Sequence, residues 1–335
     1  MYRSFYGFRV KPFQLKPDPN FFFGSKGHNR AMAYLEYGLS QGEGFIVITG
    51  DVGAGKTTLV RNLFRKLESD EILAAQIVNT HLDSDDTLRL VAAAFGLPHE
   101  NRGKASLLIG LEQFFRECDQ EGKRALLVVD EAQNLSPRTV EELRMLSNFQ
   151  TEDKPLLQTF LLGQPEFRKT LLSGDMEQLR QRVTATYHLG PMDLPETRSY
   201  IEHRLTTAGW EGDPSFDEAA FEAIYAYADG IPRRINAVCD RLLLMGCLEQ
   251  LHHFGEAEVS EVVSDIQQEF EAPIAAAMGS VDFISSERRA DESLRELKSM
   301  DERLAVLEDS VVSTLELVKQ VVSLASVEHS AKDKS

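Results

Sequence analysis

The sequence predicts an α/β protein built on a parallel β-sheet with helices on both faces, followed by a smaller helical lid. Three observations support this prediction. Short apolar runs alternate with helical patterns up to about residue 192, and parallel strands need such crossover connections. A glycine-rich segment joins the first apolar run to the next helical pattern. After Pro195 only helical patterns follow.

The individual elements follow from periodicity and composition. The run Phe45-Ile46-Val47-Ile48 is too short for a helix and is β-branched, which is typical of a buried parallel strand. Further strands are expected at 75–78, 125–129, 156–162 and 185–189. Core helices are expected at 29–39, 58–67, 85–95, 104–121 and 137–149, and lid helices at 196–208, 217–228, 233–249 and 256–270.

The domain organisation follows from changes in composition along the chain. The first residues are rich in Phe, Pro and Gly, which favours an extended, packed arm. Near the C-terminus, Leu297, Leu304, Val311 and Val318 recur every seven residues and predict a coiled coil, with Thr314 as its weak position. We expect an arm with a first helix at 1–43, an α/β core at 44–192, a lid at 193–270, a linker at 271–284, a coiled-coil helix at 285–326 and a disordered tail at 327–335.

Composition and charge narrow the function classes. The chain of 335 residues is 42% hydrophobic, enough for a sizeable core, and its net charge of −17 opposes general binding to nucleic acid or anionic lipid. The cysteines Cys118, Cys239 and Cys247 lack metal-ligand spacing and indicate core residues in a reducing cytoplasm. We see no run of about 20 apolar residues and no signal-peptide block. We therefore expect a cytoplasmic protein, for which any contact with a membrane comes through a partner.

The glycine-rich segment has the pattern of a phosphate-binding loop. It follows a predicted strand and opens a helix, so that backbone N–H groups and the helix N-terminus favour an anion. Lys56 supplies charge to the terminal phosphates, and Thr57 offers a hydroxyl to Mg²⁺. A glycine-rich turn that binds nothing is the alternative. The predicted nucleotide-binding residues are Gly50, Asp51, Val52, Gly53, Ala54, Gly55, Lys56, Thr57 and Thr58.

Two carboxylates end the strand at 125–129. Ligands of open α/β sheets bind at this end of the strands. Asp130 is expected to hold Mg²⁺ and Glu131 to polarise the attacking water. Alternatively, the acidic pair caps the helix that begins near Pro137.

These motifs, together with segments of the arm, resemble a known family over about residues 1–270. The arm contains Tyr6-Gly7-Phe8, Lys11-Pro12-Phe13 and Pro17-Asp18-Pro19, and the carboxylates lie in Asp130-Glu131-Ala132-Gln133-Asn134-Leu135. The chain thus resembles the ExeA-type secretion ATPases of the AAA+ class. Within that group, 142–149 and 162–167 are most similar to the ATPase that accompanies exosortase (PEP-CTERM) and exopolysaccharide loci.

The resemblance implies further site residues. Gln164 occupies the position of a polar sensor of the γ-phosphate; the alternative is a glutamine bonded to backbone. Arg182, or else Arg180, is implied as an arginine finger for a neighbouring subunit; a surface salt bridge is the alternative. Arg233 corresponds to the second sensor, unless it pairs with an acidic neighbour in the lid. His28 corresponds to a residue that borders the adenine, unless it is a packed turn residue.

The resemblance also implies a function. We expect ATP and Mg²⁺ as cofactors, and self-association into a ring or filament. The partners are expected among secretion or polysaccharide-export components of the envelope, and nucleic acid is not expected. The alternatives are a DNA-handling ATPase of the transposition-regulator type and a nucleotide switch too slow to be a motor.

Overall fold

A central sheet of five parallel strands carries the phosphate-binding loop. In this computed structural model, residues 1–16, 18–66, 71–78, 84–152 and 154–278 are described. The strands are β1 Phe45–Gly50, β2 Ile72–Ile77, β3 Arg124–Val129, β4 Leu157–Gly163 and β5 Val183–Leu189. Their order in the sheet is β2-β3-β4-β1-β5, and all pairs are parallel. The predicted fold class is confirmed.

The burial of each strand reflects its place in the sheet. Every residue of the central strands β1 and β4 is buried, whereas the edge strand β5 alternates between more and less exposed positions. The strands β2 and β5 begin at least two residues earlier than expected. β2 begins at Ile72, because its pairing with β3 starts there, opposite Arg124. β5 begins at Val183, beside Phe45.

Helices cover both faces of the sheet, as predicted. After α1 Tyr2–Phe5, which belongs to the arm, these helices are α2 Lys26–Gln41, α3 Lys56–Lys66, α4 Ser84–Ala94, α5 Lys104–Gln120, α6 Pro137–Leu146, α7 Pro165–Leu172 and α8 Glu177–Arg180. Side chains of β1 alternate between two cores: Phe45 and Val47 pack with α4 to α7, and Ile46 and Ile48 pack with α2 and α3. α7 and α8 were not predicted, and each is too short to show a helical period.

The lid has four helices and a small sheet that the sequence did not predict. The helices are α9 Leu194–Thr207, α10 Glu218–Ala228, α11 Pro232–Glu249 and α12 Glu256–Met278. The expectation that no strand follows Pro195 is wrong, because β6 Ser215–Phe216 pairs in parallel with β7 His253–Phe254. Strands of two residues are too short to show the alternation by which a strand is recognised.

The arm packs on the lid through its aromatic side chains. Tyr2, Tyr6 and Phe13 are buried. The Tyr2 hydroxyl donates to Asp240 of α11, and the Tyr6 hydroxyl donates to the carbonyl oxygen of Leu251 at 2.9 Å. The arm is therefore irregular and packed, as predicted, apart from the single turn α1 and a 3-10 turn at Pro19–Phe21.

The first and last long helices extend beyond their predicted bounds. α2 begins before position 29, because the Ser25 hydroxyl caps it by accepting from the N–H of His28 at 3.2 Å. α12 continues through 271–278, where a linker was expected. Ala275, Ala276 and Ala277 favour a helix at this point, because alanine has the highest helix propensity of all residues.

The described residues belong to two units. Residues 1–265 form one compact unit that contains arm, sheet and the lid up to the middle of α12, and residues from 266 onward belong to a second unit. The rest of the expected linker, the coiled coil at 285–326 and the tail at 327–335 lie outside the described residues. The six-part division of the chain stays a prediction. Across the described ranges, no helix combines the length and apolar character that a bilayer span requires.

Candidate active site

A cleft of about 300 Å³ lies between arm, sheet and lid, at the carboxyl ends of the strands. Gln14 and Phe22 line it from the arm, Lys56 from the loop, and Arg233 from the lid. In a parallel sheet this edge is the usual place for a ligand, since the loops that follow the strands converge there. Within residues 1–43 only His28 was predicted to belong to the site, and the contribution of Gln14 and Phe22 was not predicted.

The predicted phosphate-binding loop connects β1 directly to α3. Lys56 is buried, and its ammonium group donates to the carbonyl oxygens of Gly50 at 2.7 Å and Asp51 at 3.0 Å. Burial lowers the pKa of Lys56, whereas Glu131, Asp130 and other carboxylates act in the opposite direction. The cation therefore faces the cleft from the start of a helix, where both charge and helix dipole attract phosphate.

Two glycines of the loop allow close contacts with the rest of the site. Gly53 has φ +86°, and a Cβ there would lie 2.4 Å from the Cβ of Arg233. Gly55 has φ +98°, and a Cβ there would lie 2.8 Å from Nε2 of His28. These glycines thus do more than curve around an anion: they let the lid and α2 approach the loop.

Thr57 and Asp130 form a pair of hard oxygen ligands. The Thr57 hydroxyl donates to Oδ2 of Asp130 at 2.8 Å, and Asp130 is 2% exposed. Over the described parts of the chain, no group of three His, Cys, Asp or Glu residues is placed to hold a metal. The pair fits Mg²⁺, which binds through one or two protein oxygens together with water and substrate phosphate.

Glu131 is held by two glutamine side chains. Its backbone is left-handed, with φ +55°, so the carboxylate turns away from the strand direction. Oε2 of Glu131 accepts from Nε2 of Gln133 at 2.6 Å and from Nε2 of Gln164 at 3.3 Å. The backbone N–H of Gln164 in turn donates to Oε1 of Gln133 at 3.0 Å. Gln164 therefore contacts the acidic pair through its side chain, and Gln133 was not among the predicted site residues.

The helix near Pro137 does not depend on the acidic pair. Ser136 caps it by accepting from the N–H of Thr139 at 3.1 Å. The capping alternative for Asp130 and Glu131 is therefore wrong.

His28 supports the loop from the arm side. Its Nε2 lies 3.0 Å from the carbonyl oxygen of Ala54, and its Nδ1 lies 2.7 Å from the Ser25 hydroxyl. Because a carbonyl only accepts, Nε2 carries the proton and Nδ1 accepts from Ser25. Burial is the main cause that lowers the pKa of His28, which favours this neutral form. His28 lines the cleft and also fixes the loop backbone.

Arg233 connects the lid to the same loop. Its backbone N–H donates to the carbonyl oxygen of Gly53 at 3.2 Å. Asp229, the acidic neighbour in the lid, pairs with Arg234 at 2.9 Å instead. Within the described residues the Arg233 guanidinium makes no ion pair, and it lines the cleft.

Arg182 and Arg180 lie far from this cleft. The carbonyl of Arg182 accepts from the N–H of Phe45 at the start of β1, and the loop begins at the other end of that strand, roughly 16 Å away. The Arg182 guanidinium donates to the Ser147 hydroxyl at 2.8 Å. That of Arg180 donates to the carbonyl oxygen of Leu171 at 2.7 Å. Neither arginine reaches the site of its own chain.

The fold is that of a P-loop NTPase of the AAA+ class, with the predicted phosphate-binding loop at the cleft. Residues 39–171 match the AAA domain family. The chain is similar to the general secretion pathway protein A of Aeromonas hydrophila, with 38% identity over 261 residues, which are 78% of this chain and 47% of that protein.

The chain also resembles more distant proteins, one in sequence and one in fold. An uncharacterised HTH-type transcriptional regulator of Methanocaldococcus jannaschii is 24% identical over 160 residues, or 47% of this chain and 38% of that protein. The ORC1 protein of Aeropyrum pernix, solved in complex with DNA, is 18% identical with a TM-score of 0.58, covering 80% of this chain and 72% of that one. This chain spans less than half the length of the curated relatives it matches.

The contact between Gly53 and Arg233 gives a first prediction. Gly53→Ala should weaken ATP binding by at least tenfold, because the new Cβ meets Arg233 and pushes the lid from the loop. Gly42→Ala is the matched control: Gly42 has φ +73°, so it carries a similar backbone penalty, but a Cβ there comes no closer than 3.8 Å to another atom. Calorimetric titration with ATP measures both. Equal affinities in the two variants would contradict the described contact.

Proposed function

We propose that this chain is a Mg²⁺-dependent, self-associating ATPase that drives or regulates a process of the cell envelope. The observation that carries the proposal is the convergence of Lys56, the Thr57–Asp130 pair and Glu131 on one cleft. These groups supply charge for phosphate, oxygen ligands for a metal and a base for water.

Each side chain has a distinct task in this mechanism. Lys56 and the loop N–H groups bind and orient the terminal phosphates of ATP. Thr57 and Asp130 hold Mg²⁺, which when bound offsets the charge that develops on the phosphate oxygens. Glu131 accepts a proton from the attacking water, and Gln133 and Gln164 keep its carboxylate in place. Arg233 senses the phosphates from the lid, so that nucleotide state alters the lid angle.

Two substitutions separate binding from hydrolysis. Lys56→Ala should abolish detectable ATP binding, because it removes the cation of the loop. Glu131→Gln should bind ATP but turn it over about a hundredfold more slowly, since the amide cannot accept the proton. Equilibrium binding and steady-state phosphate release provide the two readouts. Unchanged turnover in both variants would rule out this mechanism.

The distance between Arg182 and the cleft of its own chain supports the proposed self-association. A guanidinium at the far edge of the sheet can serve a site only on another copy, as an arginine finger does. We place Arg182 first, because its contact is a single hydroxyl, whereas Arg180 donates to two carbonyl oxygens of its own chain. Neighbouring copies would then stack into a ring or filament.

A mixing experiment tests the finger. Arg182→Ala should lower turnover by about a thousandfold or more without loss of ATP binding, and Arg180→Ala should not. A mixture of Arg182→Ala with Glu131→Gln should recover part of the turnover, because an intact site can then face an intact finger. No recovery in a mixed assembly, or equal loss in Arg180→Ala, would refute the assignment.

The proposed process rests on similarity. The relative from Aeromonas hydrophila is described as a general secretion pathway protein, and the motifs at 142–149 and 162–167 favour exopolysaccharide export or exosortase-linked protein sorting. We place the chain in the cytoplasm, peripheral to the inner membrane through partners from the envelope. DNA handling is less favoured, because a net charge of −17 opposes contact with a polyanion.

The process has its own test. Replacing the chromosomal copy with the Lys56→Ala variant should abolish export of the polysaccharide or sorted proteins, while the amount of variant protein stays at the wild-type level. Cell-surface polysaccharide and surface-protein profiles, with an immunoblot for the variant, measure this. Normal export in the variant strain would contradict a role in the envelope.

A further inference from the structure

A buried arginine lies beside the cleft without an acidic partner. Arg204 of α9 is 6% exposed, and no ion pair to it exists among the described residues. Its guanidinium donates to the carbonyl oxygen of Pro12 at 2.6 Å, to the Tyr200 hydroxyl at 2.8 Å and to the carbonyl oxygen of Gln14 at 3.3 Å. It also faces the ring of Phe21 at 4.9 Å. Burying a cation on neutral acceptors alone is costly, so a structural role by itself explains this arrangement poorly.

The hydrogen bonds of Arg204 determine which atom donates and which accepts in a series that runs from Arg204 through Tyr200 to Asn236. A guanidinium has only donors, so the Tyr200 oxygen accepts from Arg204. The single hydroxyl hydrogen of Tyr200 then goes to Oδ1 of Asn236, 2.9 Å away. Burial is the main cause that raises the pKa of Tyr200, and its hydroxyl remains protonated.

The side chain of Asn236 is therefore held by its oxygen, and its amide nitrogen is not engaged by Tyr200. Because its oxygen accepts from Tyr200, its NH₂ group points elsewhere, and within the described chain that group has no hydrogen-bond partner. Asn236 is 6% exposed and lines the cleft. The chain of bonds thus ends in a donor of fixed orientation at the wall of the nucleotide cleft.

The position of Asn236 indicates which part of a nucleotide it meets. Arg233, bonded to the loop at Gly53, lies one helical turn earlier on α11, about 5 Å nearer to the phosphates. Phe22 and Phe23 of the arm also line the cleft, and the ring of Phe23 lies 5.8 Å from the ring of Tyr200, whose hydroxyl bonds Asn236. Apolar rings with one oriented polar group suit a flat purine base better than a charged phosphate.

We propose that Asn236 is a specificity-determining residue that donates to an acceptor ring nitrogen of the purine base, and that Arg204 and Tyr200 are positioning residues that hold its amide in the donor orientation. This inference rests on the proposed nucleotide binding. Because Arg204 also fixes the carbonyls of Pro12 and Gln14, base recognition and the docking of the arm depend on the same side chain.

Analogues of ATP that lack one ring nitrogen test the proposal. Affinities for ATP and for 1-deaza-, 3-deaza- and 7-deaza-ATP are measured by calorimetry in the full-length wild type and in Asn236→Ala. In the wild type one analogue should bind about tenfold more weakly than ATP, the value of one hydrogen bond to a desolvated donor. In Asn236→Ala the same analogue and ATP should bind equally.

A second variant leaves Asn236 intact. Tyr200→Phe removes the hydroxyl that orients the amide, so the ratio of the two affinities should fall towards one while ATP still binds. The ratio compares two ligands on one protein, so a loss of stability affects both affinities alike. Asn62→Ala serves as the control: Asn62 is buried on α3, accepts from Arg65 and lies outside the cleft lining, so the wild-type ratio should persist.

Two results would overturn the inference. The first is a wild type that binds all three analogues as tightly as ATP; the second is an Asn236→Ala variant that keeps the wild-type ratio. Failure of the proposed ATP binding would give a different result. The wild type would then not bind ATP at all, and Lys56→Ala would show the same absence of binding.

Discussion

The hydrogen bond from the N–H of Arg233 to the carbonyl oxygen of Gly53 joins the lid to the phosphate-binding loop, and the site depends on it. A second contact, from Nε2 of His28 to the carbonyl oxygen of Ala54, joins the loop to α2 and the arm. The loop itself continues from β1, which is buried along its whole length. Arm, sheet and lid therefore meet at one backbone segment, and a nucleotide bound there touches all three.

The polar groups of the site form two parts, one in which charged side chains lie at the cleft and one in which a neutral group does. Around the loop, charged side chains face the cleft directly, and their positions are set by short hydrogen bonds such as that between Thr57 and Asp130. On the side of the lid, a buried cation acts through neutral groups, from Arg204 through Tyr200 to Asn236. The first part suits phosphate and a metal ion; the second suits recognition without charge.

The sequence predicts the sheet and the position of the loop well, because buried parallel strands appear as short apolar runs and the cleft lies at their carboxyl ends. β1 and the loop that follows it are examples. Individual side-chain contacts were not predictable. Gln133 follows the acidic pair as an ordinary polar residue, and its bond to Glu131 depends on the left-handed backbone of Glu131. An arginine such as Arg204 in a helical pattern is usually exposed, so its burial depends on the fold of the arm.

The central claim is that arm, loop and lid enclose one nucleotide. Hydrogen–deuterium exchange of the Glu131→Gln variant, with and without Mg²⁺ and ATP, tests this claim most directly. We expect backbone amides to exchange more slowly when ATP binds in three separate segments: 12–16 of the arm, 50–57 of the loop and 231–236 of the lid. Protection limited to the loop, with the arm and lid unchanged, would contradict it.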